Sequence, residues 1–158
     1  MVTPGDMAPD FTAPLANGDV ETFTLSERLE SESPIVLAFF PGAFTSVCTA
    51  EMRTFEERLE AFEGSGATVY GVSVDSPFAL GEFREQNGLS FGLVSDFEKE
   101  VVDAYDVRTS FEGLGVHGLA KRAVFVIDAD GTVIYTWVSD DPGAEPDYEA
   151  VEEAAATA

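Results

Sequence analysis

The only sulfur nucleophile in the chain, Cys48, stands seven residues after Pro41 and three after Thr45, in the string Phe39-Phe40-Pro41-Gly42-Ala43-Phe44-Thr45-Ser46-Val47-Cys48-Thr49-Ala50-Glu51. An apolar run ends at Phe40, Pro41-Gly42 turns the chain, and the periodicity from Val47 onward predicts a helix. Cys48 then falls in the first helical turn, where unpaired N–H groups and the positive end of the macrodipole favour an anion. A thiol so placed ionises more readily, and the thiolate is the nucleophile. Thr45 brings a hydroxyl close to the sulfur, although it could equally cap the helix, as could Ser46. A lone cysteine is often a small buried hydrophobe. Its place at a helix start beside Pro41 and Thr45 favours a reactive sulfur.

The elements that must hold this string can be read in order. Asp10–Leu15, the turn signal Asn17-Gly18 and Val20–Phe23 form an N-terminal hairpin. Thr24 with Glu27 makes a capping box for a short helix over Leu25–Leu29. Ile35–Phe40 is apolar on both pleat faces, as a central strand of a parallel sheet should be. The helix from Val47 to Phe62 presents Cys48, Met52, Phe55, Leu59 and Phe62 on one face, so Cys48 sits at the end of the stripe that packs on the sheet. Ala67–Val74 is a second buried strand, completing a βαβ unit with Cys48 at the carboxyl end of the sheet, where such sheets place their sites.

Further along, Asp75-Ser76-Pro77 opens a helix to Gln86, and Phe91–Val94 is a short strand. Ser95-Asp96 caps a helix expected to bury Phe97, Val101 and Tyr105. Residues 110–119 read as a glycine-marked loop, Arg122–Ile127 and Thr132–Val138 as a hairpin about Asp130-Gly131, and Pro146 as the opening of a terminal helix that frays near Ala155. On the second strand of that hairpin Val133, Tyr135 and Trp137 alternate onto one face, as core or as a subunit contact. The 158 residues are expected to make one α/β domain, 1–158, with a mixed central sheet flanked by helices.

Charge narrows the partners. Thirty acidic residues against eight basic ones give a formal net charge of −22, which argues against nucleic acid and anionic membranes. The longest apolar run, Ile35–Phe40, is far short of the roughly 20 residues of a membrane span. No basic segment followed by an apolar stretch opens the chain, so no secretory signal and a cytoplasmic location are expected. The single His117, in a glycine-rich stretch with no cysteine cluster beside it, reads as a surface residue, and neither a metal nor a cofactor is expected.

At Pro41, Thr45 and Cys48 the chain resembles the peroxiredoxins, whose signature is Pro-x-x-x-Thr/Ser-x-x-Cys, and the longer string around it sharpens the match. The resemblance runs from about Asp10 to Asp141 and is greatest to the one-cysteine alkyl hydroperoxide reductase E and bacterioferritin-comigratory types. It implies a thioredoxin-like fold with an N-terminal β-hairpin extension. It also implies reduction of hydrogen peroxide and alkyl hydroperoxides through a Cys48 sulfenic acid. By the same resemblance Thr45 bonds the thiolate and the attacked oxygen, Pro41 shields the sulfur, Arg122 bonds sulfur and peroxide, and Glu51 orients Arg122. Backbone N–H groups at Val47 and Cys48 complete the implied peroxide site.

With one cysteine no intramolecular disulfide can form, so the implied partner is an external thiol, thioredoxin-like or glutaredoxin-like, or a low-molecular-weight thiol. The family also implies a homodimer, with Phe44 and Phe111 as contacts. Thr45 occupies the place of a first cysteine in a Cys-x-x-Cys pair, which argues against a disulfide reductase. A redox-sensing or holdase-type binding protein on the same fold is the alternative. The acids are spread along the chain rather than gathered in a tail, the pattern of a protein adapted to a high-salt cytoplasm. The expected outcome is a thermal unfolding midpoint that rises steadily from low to molar KCl; a flat midpoint would remove the halophilic reading.

Overall fold

Both sides of the pleat are apolar over Ile35–Phe39, and in the computed structural model, which describes residues 1–158, this strand (β3) lies completely buried inside a seven-stranded sheet. Before it come β1 (Thr12–Asn17) and β2 (Asp19–Thr24), an antiparallel hairpin turned at Gly18 with φ of 93°, and then α1 (Leu25–Glu32). After it come α2 (Ser46–Glu57), α3 (Leu59–Gly64), β4 (Thr68–Ser73), α4 (Pro77–Gln86), β5 (Leu93–Ser95) and α5 (Glu100–Ala104). The chain ends with β6 (Arg108–Phe111), β7 (Val116–Ala120), β8 (Arg122–Ile127), β9 (Val133–Ser139) and α6 (Tyr148–Ala156). The sheet order is β2-β1-β5-β4-β3-β8-β9, parallel among β3, β4 and β5 and antiparallel elsewhere, while β6 and β7 form a separate ribbon.

Alternation along β3 sorts the core into two halves. Ile35, Leu37 and Phe39 join Phe23, Tyr105 and Phe125 on one face of the sheet. Val36, Ala38 and Phe40 join Cys48, Met52, Phe55, Phe62 and Phe83 on the other. The helix that carries Cys48 is therefore clamped to the sheet through its own apolar stripe, and burying each such Phe contributes roughly 1.5–3 kcal/mol.

Several expectations are corrected. The helix read as Val47–Phe62 is broken at Arg58, where φ/ψ of −95°/1° separates α2 from α3. No proline or glycine lies there. Thr54 Oγ1 donates back to the Ala50 carbonyl at 2.8 Å one turn earlier, a bond that loosens and bends helices. Thr24 does not cap α1 with its side chain; its hydroxyl meets Thr12 Oγ1, and Asp10 accepts from the Ser26 amide instead.

The loop expected over 110–119 is largely the β6–β7 ribbon. Gly115 and Gly118, with φ of 68° and 73°, supply its turn and irregular register. Val133 does not share a face with Tyr135 and Trp137, because the register of β9 against β8 slips between Val126 and Ile127. That slip sends Val133 into the first core while Tyr135 and Trp137 pack on the second. The terminal helix runs to Ala156 with Ala155 buried.

Phe97 is 59% exposed rather than buried. The helix after Asp96 begins only at Glu100, with Asp96 accepting from the Val101 and Val102 amides, so Phe97 precedes the buried stripe. Phe97→Ala should therefore shift the unfolding free energy by no more than about 0.5 kcal/mol. Val101→Ala, at a position 3% exposed, should cost roughly 2 kcal/mol in urea titration.

Candidate active site

The end of β3 lies beside Val72 of β4 and Ala123 of β8, and since β8 runs antiparallel to β3, its first residue, Arg122, emerges where the chain leaves β3 for α2. The register thus brings together residues 74 apart in sequence: Arg122 Nη2 donates to Cys48 Sγ at 2.9 Å. Cys48 is 1% exposed and Arg122 is 2% exposed. A guanidinium this deeply buried needs compensation by anions or acceptors. Its Nε donates to the Pro142 carbonyl at 2.6 Å, and Nη1 lies 3.4 Å from Glu51 Oε1.

Glu51 follows Cys48 by one residue short of a helical turn and is fully buried. Its approach to Arg122 is close enough for charge attraction but lacks hydrogen-bond geometry, leaving both Glu51 oxygens and Arg122 Nη1 without hydrogen-bond partners. Burial outweighs the attraction of Arg122. Reinforced by the like charge of Glu145, it pushes the Glu51 carboxyl up from 4.5 to about 8. At neutral pH Glu51 is therefore largely uncharged, and the nearest group that can balance Arg122 is the sulfur.

Thr45 is the residue flanking the start of α2, and its carbonyl accepts from the Thr49 amide. Its hydroxyl neither caps the helix nor touches the sulfur: Oγ1 donates to the Gly42 carbonyl at 2.9 Å. That departs from the bond expected between Thr45 and the thiolate. The three-residue spacing brought Thr45 beside the cavity, but the hydroxyl finds its acceptor within the turn. No side chain caps α2, and the amides of Val47 and Cys48 donate to no group of the chain.

Pro41, buried, and Val47, half-buried, stand with Phe111 and Pro142 around a cavity of about 120 Å³ that reaches Cys48 and Arg122. Phe111, read from sequence as a subunit contact, is a wall of this cavity. Pro142 could not be anticipated, because it acts through a backbone carbonyl that no side-chain pattern announces. His117 is exposed, is not among the residues lining this cavity, and its carbonyl accepts from Lys99. A larger cleft of about 360 Å³, with Phe11, Asp96 and Phe97 on its walls, contains none of Pro41, Thr45, Cys48, Glu51 and Arg122. Of these two cavities, the smaller one joins the thiol to the guanidinium.

Residues 4–136 match the model of the AhpC/TSA family. A thiol peroxidase of Mycobacterium bovis is 40% identical over 147 residues, covering 92% of this chain and 84% of its own. A chloroplastic 2-cysteine peroxiredoxin of Chattonella marina is 36% identical over 144 residues, covering 86% and 70%. Among solved structures, the peroxidoxin BcpB of Mycobacterium tuberculosis superposes with a TM-score of 0.81 at 30% identity, over 99% of this chain and 96% of that one. The mixed sheet flanked by helices is thus the thioredoxin-like architecture of these proteins. Likeness in sequence and in shape leads to one lineage, and with Cys48 its only thiol the chain belongs to the AhpC/TSA family and is a thiol-dependent peroxidase.

Proposed function

We propose that Cys48 is the sulfur that reacts and Arg122 the cation that sustains it. The thiolate attacks one oxygen of a hydroperoxide, and an S–O bond forms as the O–O bond breaks. Sulfur is oxidised by two electrons to the sulfenic acid, and the other oxygen leaves with a proton as water or an alcohol. The observation that carries this reading is the 2.9 Å contact of Arg122 Nη2 with Cys48 Sγ between two side chains that are almost wholly buried at the base of the cavity. Charge-assisted donors there are stronger than in solution and can hold charge on the leaving oxygen as well as on sulfur.

The remaining residues fall into place around that contact. The unpaired amides of Val47 and Cys48 and the Thr45 hydroxyl, at the wall of the cavity, bind the incoming peroxide, for which Thr45 exchanges its bond to Gly42. Pro41 keeps water from the sulfur. Glu51, 3.4 Å from Nη1 and uncharged, leaves the positive charge of the guanidinium to the sulfur and the peroxide. An outside thiol then condenses with the sulfenic acid, releasing water and leaving a mixed disulfide that a second thiol reduces. A thioredoxin-like or glutaredoxin-like protein, or a small thiol, fits this step, in the reducing cytoplasm that suits a free cysteine. A homodimer through the turn before α2 would cover Phe44, which is 54% exposed.

Cys48→Ser should abolish peroxidase turnover. Arg122→Ala should slow oxidation of Cys48 by hydrogen peroxide roughly 10²–10³-fold in stopped-flow measurements; a variant reacting like wild type would remove the guanidinium from the mechanism.

Glu51 makes a second, thermodynamic test. Below its ordinary value of 4.5 the carboxyl is protonated whether the chain is folded or not; between 4.5 and about 8 only the unfolded chain releases the proton. The contribution of Glu51 to stability thus declines as pH rises through that window and levels off above it. Glu51→Gln has no proton to lose. Its urea midpoint relative to wild type should climb from about pH 5 to about pH 8, then stay constant; a pH-independent difference would show that Glu51 is charged in the native fold.

A further inference from the structure

The turn from Pro41 to Thr45 brings Pro41 and Thr45 to the site and leads into the helix of Cys48, but has little to hold it in shape. Its internal side-chain bond is that of Thr45 to the Gly42 carbonyl. Phe44, at φ of 67°, occupies the left-handed region that a bulky side chain rarely adopts. Its exposed ring leans on Phe83 of α4 with centroids 5.3 Å apart. A turn in this conformation persists only when its surroundings impose it.

The imposing group is Asp75, in the connection between β4 and α4. Its Oδ2 accepts from the Ala43 amide at 2.8 Å and from Ser73 Oγ at 2.7 Å. The backbone of Asp75 is fixed as well, since Ser95 Oγ donates to its carbonyl at 2.6 Å. Ser73 and Ser95 are buried register partners at the ends of β4 and β5, so two strands of the sheet aim one carboxylate at the turn. Asp75 is not needed to cap α4, because Ser76 accepts from the Ala79 amide. Its carboxylate touches neither Cys48 nor Arg122.

We propose that Asp75 is a positioning residue of the peroxidase reaction. By holding the Ala43 amide it locks the turn that sets Pro41, Thr45 and Cys48 against Arg122. This rests on Cys48 being the reacting thiol. A displacement near 1 Å of a reacting group costs on the order of 10²-fold in rate, so loss of the tether should be felt at the sulfur.

The test compares two reactions of the reduced protein, oxidation by hydrogen peroxide and alkylation by iodoacetamide, in wild type, Asp75→Ala and Asp75→Asn. Peroxide needs the assembled site, whereas iodoacetamide needs only an accessible thiolate. Asp75→Ala should lose at least about 10-fold in the peroxide reaction and change less than about 2-fold in alkylation. Asp75→Asn, whose amide oxygen can still accept from Ala43, should recover to within about 3-fold of wild type. If Asp75→Ala does not fold, Ser73→Ala, which frees the carboxylate to turn, should show the same selective loss to a smaller degree.

An unchanged peroxide rate in the folded alanine variant overturns the role of Asp75, as does a parallel fall in both reactions or an Asn variant as slow as Ala. A wild-type thiol no faster with peroxide than free cysteine overturns the reading of Cys48 itself, and this inference with it.

Discussion

A guanidinium shut away from water governs the arrangement of this molecule. Arg122 is 2% exposed, and each of its nitrogens faces a different group: Nε the Pro142 carbonyl after β9, Nη2 the sulfur at the start of α2, and Nη1 the Glu51 carboxyl further along α2. Withdrawing one positive charge from water is costly unless partners replace the lost hydration. A fully charged Glu51 would be the obvious counter-ion. Its own burial prevents this, holding the carboxyl to about 8. The site is left short of one negative charge at neutral pH, and the group that meets Arg122 most closely there is the Cys48 sulfur, 2.9 Å away.

The sheet makes such an encounter reproducible. With Phe39 opposite Ala123, the residue before Ala123 is placed at the sheet edge where the chain turns into α2. Shifting the register of β8 by one residue would turn Arg122 to the other face of the pleat. That shift is opposed by the whole apolar strand, in which Val124 and Val126 belong to one core and Phe125 and Ile127 to the other. The position of the cation is therefore determined by residues that have no part in the reaction. The same edge carries Asp75, so the sulfur's turn and its cation are both referenced to one rigid frame.

What could be read from the chain alone follows from how local each signal is. The buried run Ile35–Phe39, the stripe Cys48–Met52–Phe55 and the Ser76-Pro77 start are set by neighbours a few residues away, and periodicity exposes them. The Pro41, Thr45 and Cys48 spacing is equally compact. The break at Arg58, the β9 slip that moves Val133 and the ribbon through Gly115 and Gly118 arise from longer-range fitting and leave weak traces in composition. Arg122 could be assigned by resemblance, but its distance to sulfur, the uncharged state of Glu51 and the carbonyl of Pro142 are tertiary properties. The Thr45 hydroxyl shows the limit most clearly: the residue lies in the turn beside the cavity, yet its hydroxyl donates to the Gly42 carbonyl, which spacing alone does not reveal.

The acidic surface acts on a different length scale. Of the eight basic residues, Arg28, Arg58, Arg108, Lys121 and Arg122 already face carboxylates, which leaves most of the thirty acids without a cationic partner. Their mutual repulsion operates through solvent over several ångströms and weakens as the screening length falls to about 3 Å in molar salt. The contact between Arg122 and Cys48 is direct and dry, so mobile ions have little room to intervene. Ionic strength should therefore tune how firmly the scaffold holds together while leaving the local attraction at the sulfur nearly unchanged. A chain can carry a net charge of −22 and still keep a buried cation beside its only thiol, because the two electrostatic problems are solved in different media, one in the surrounding solvent and one in the protein interior.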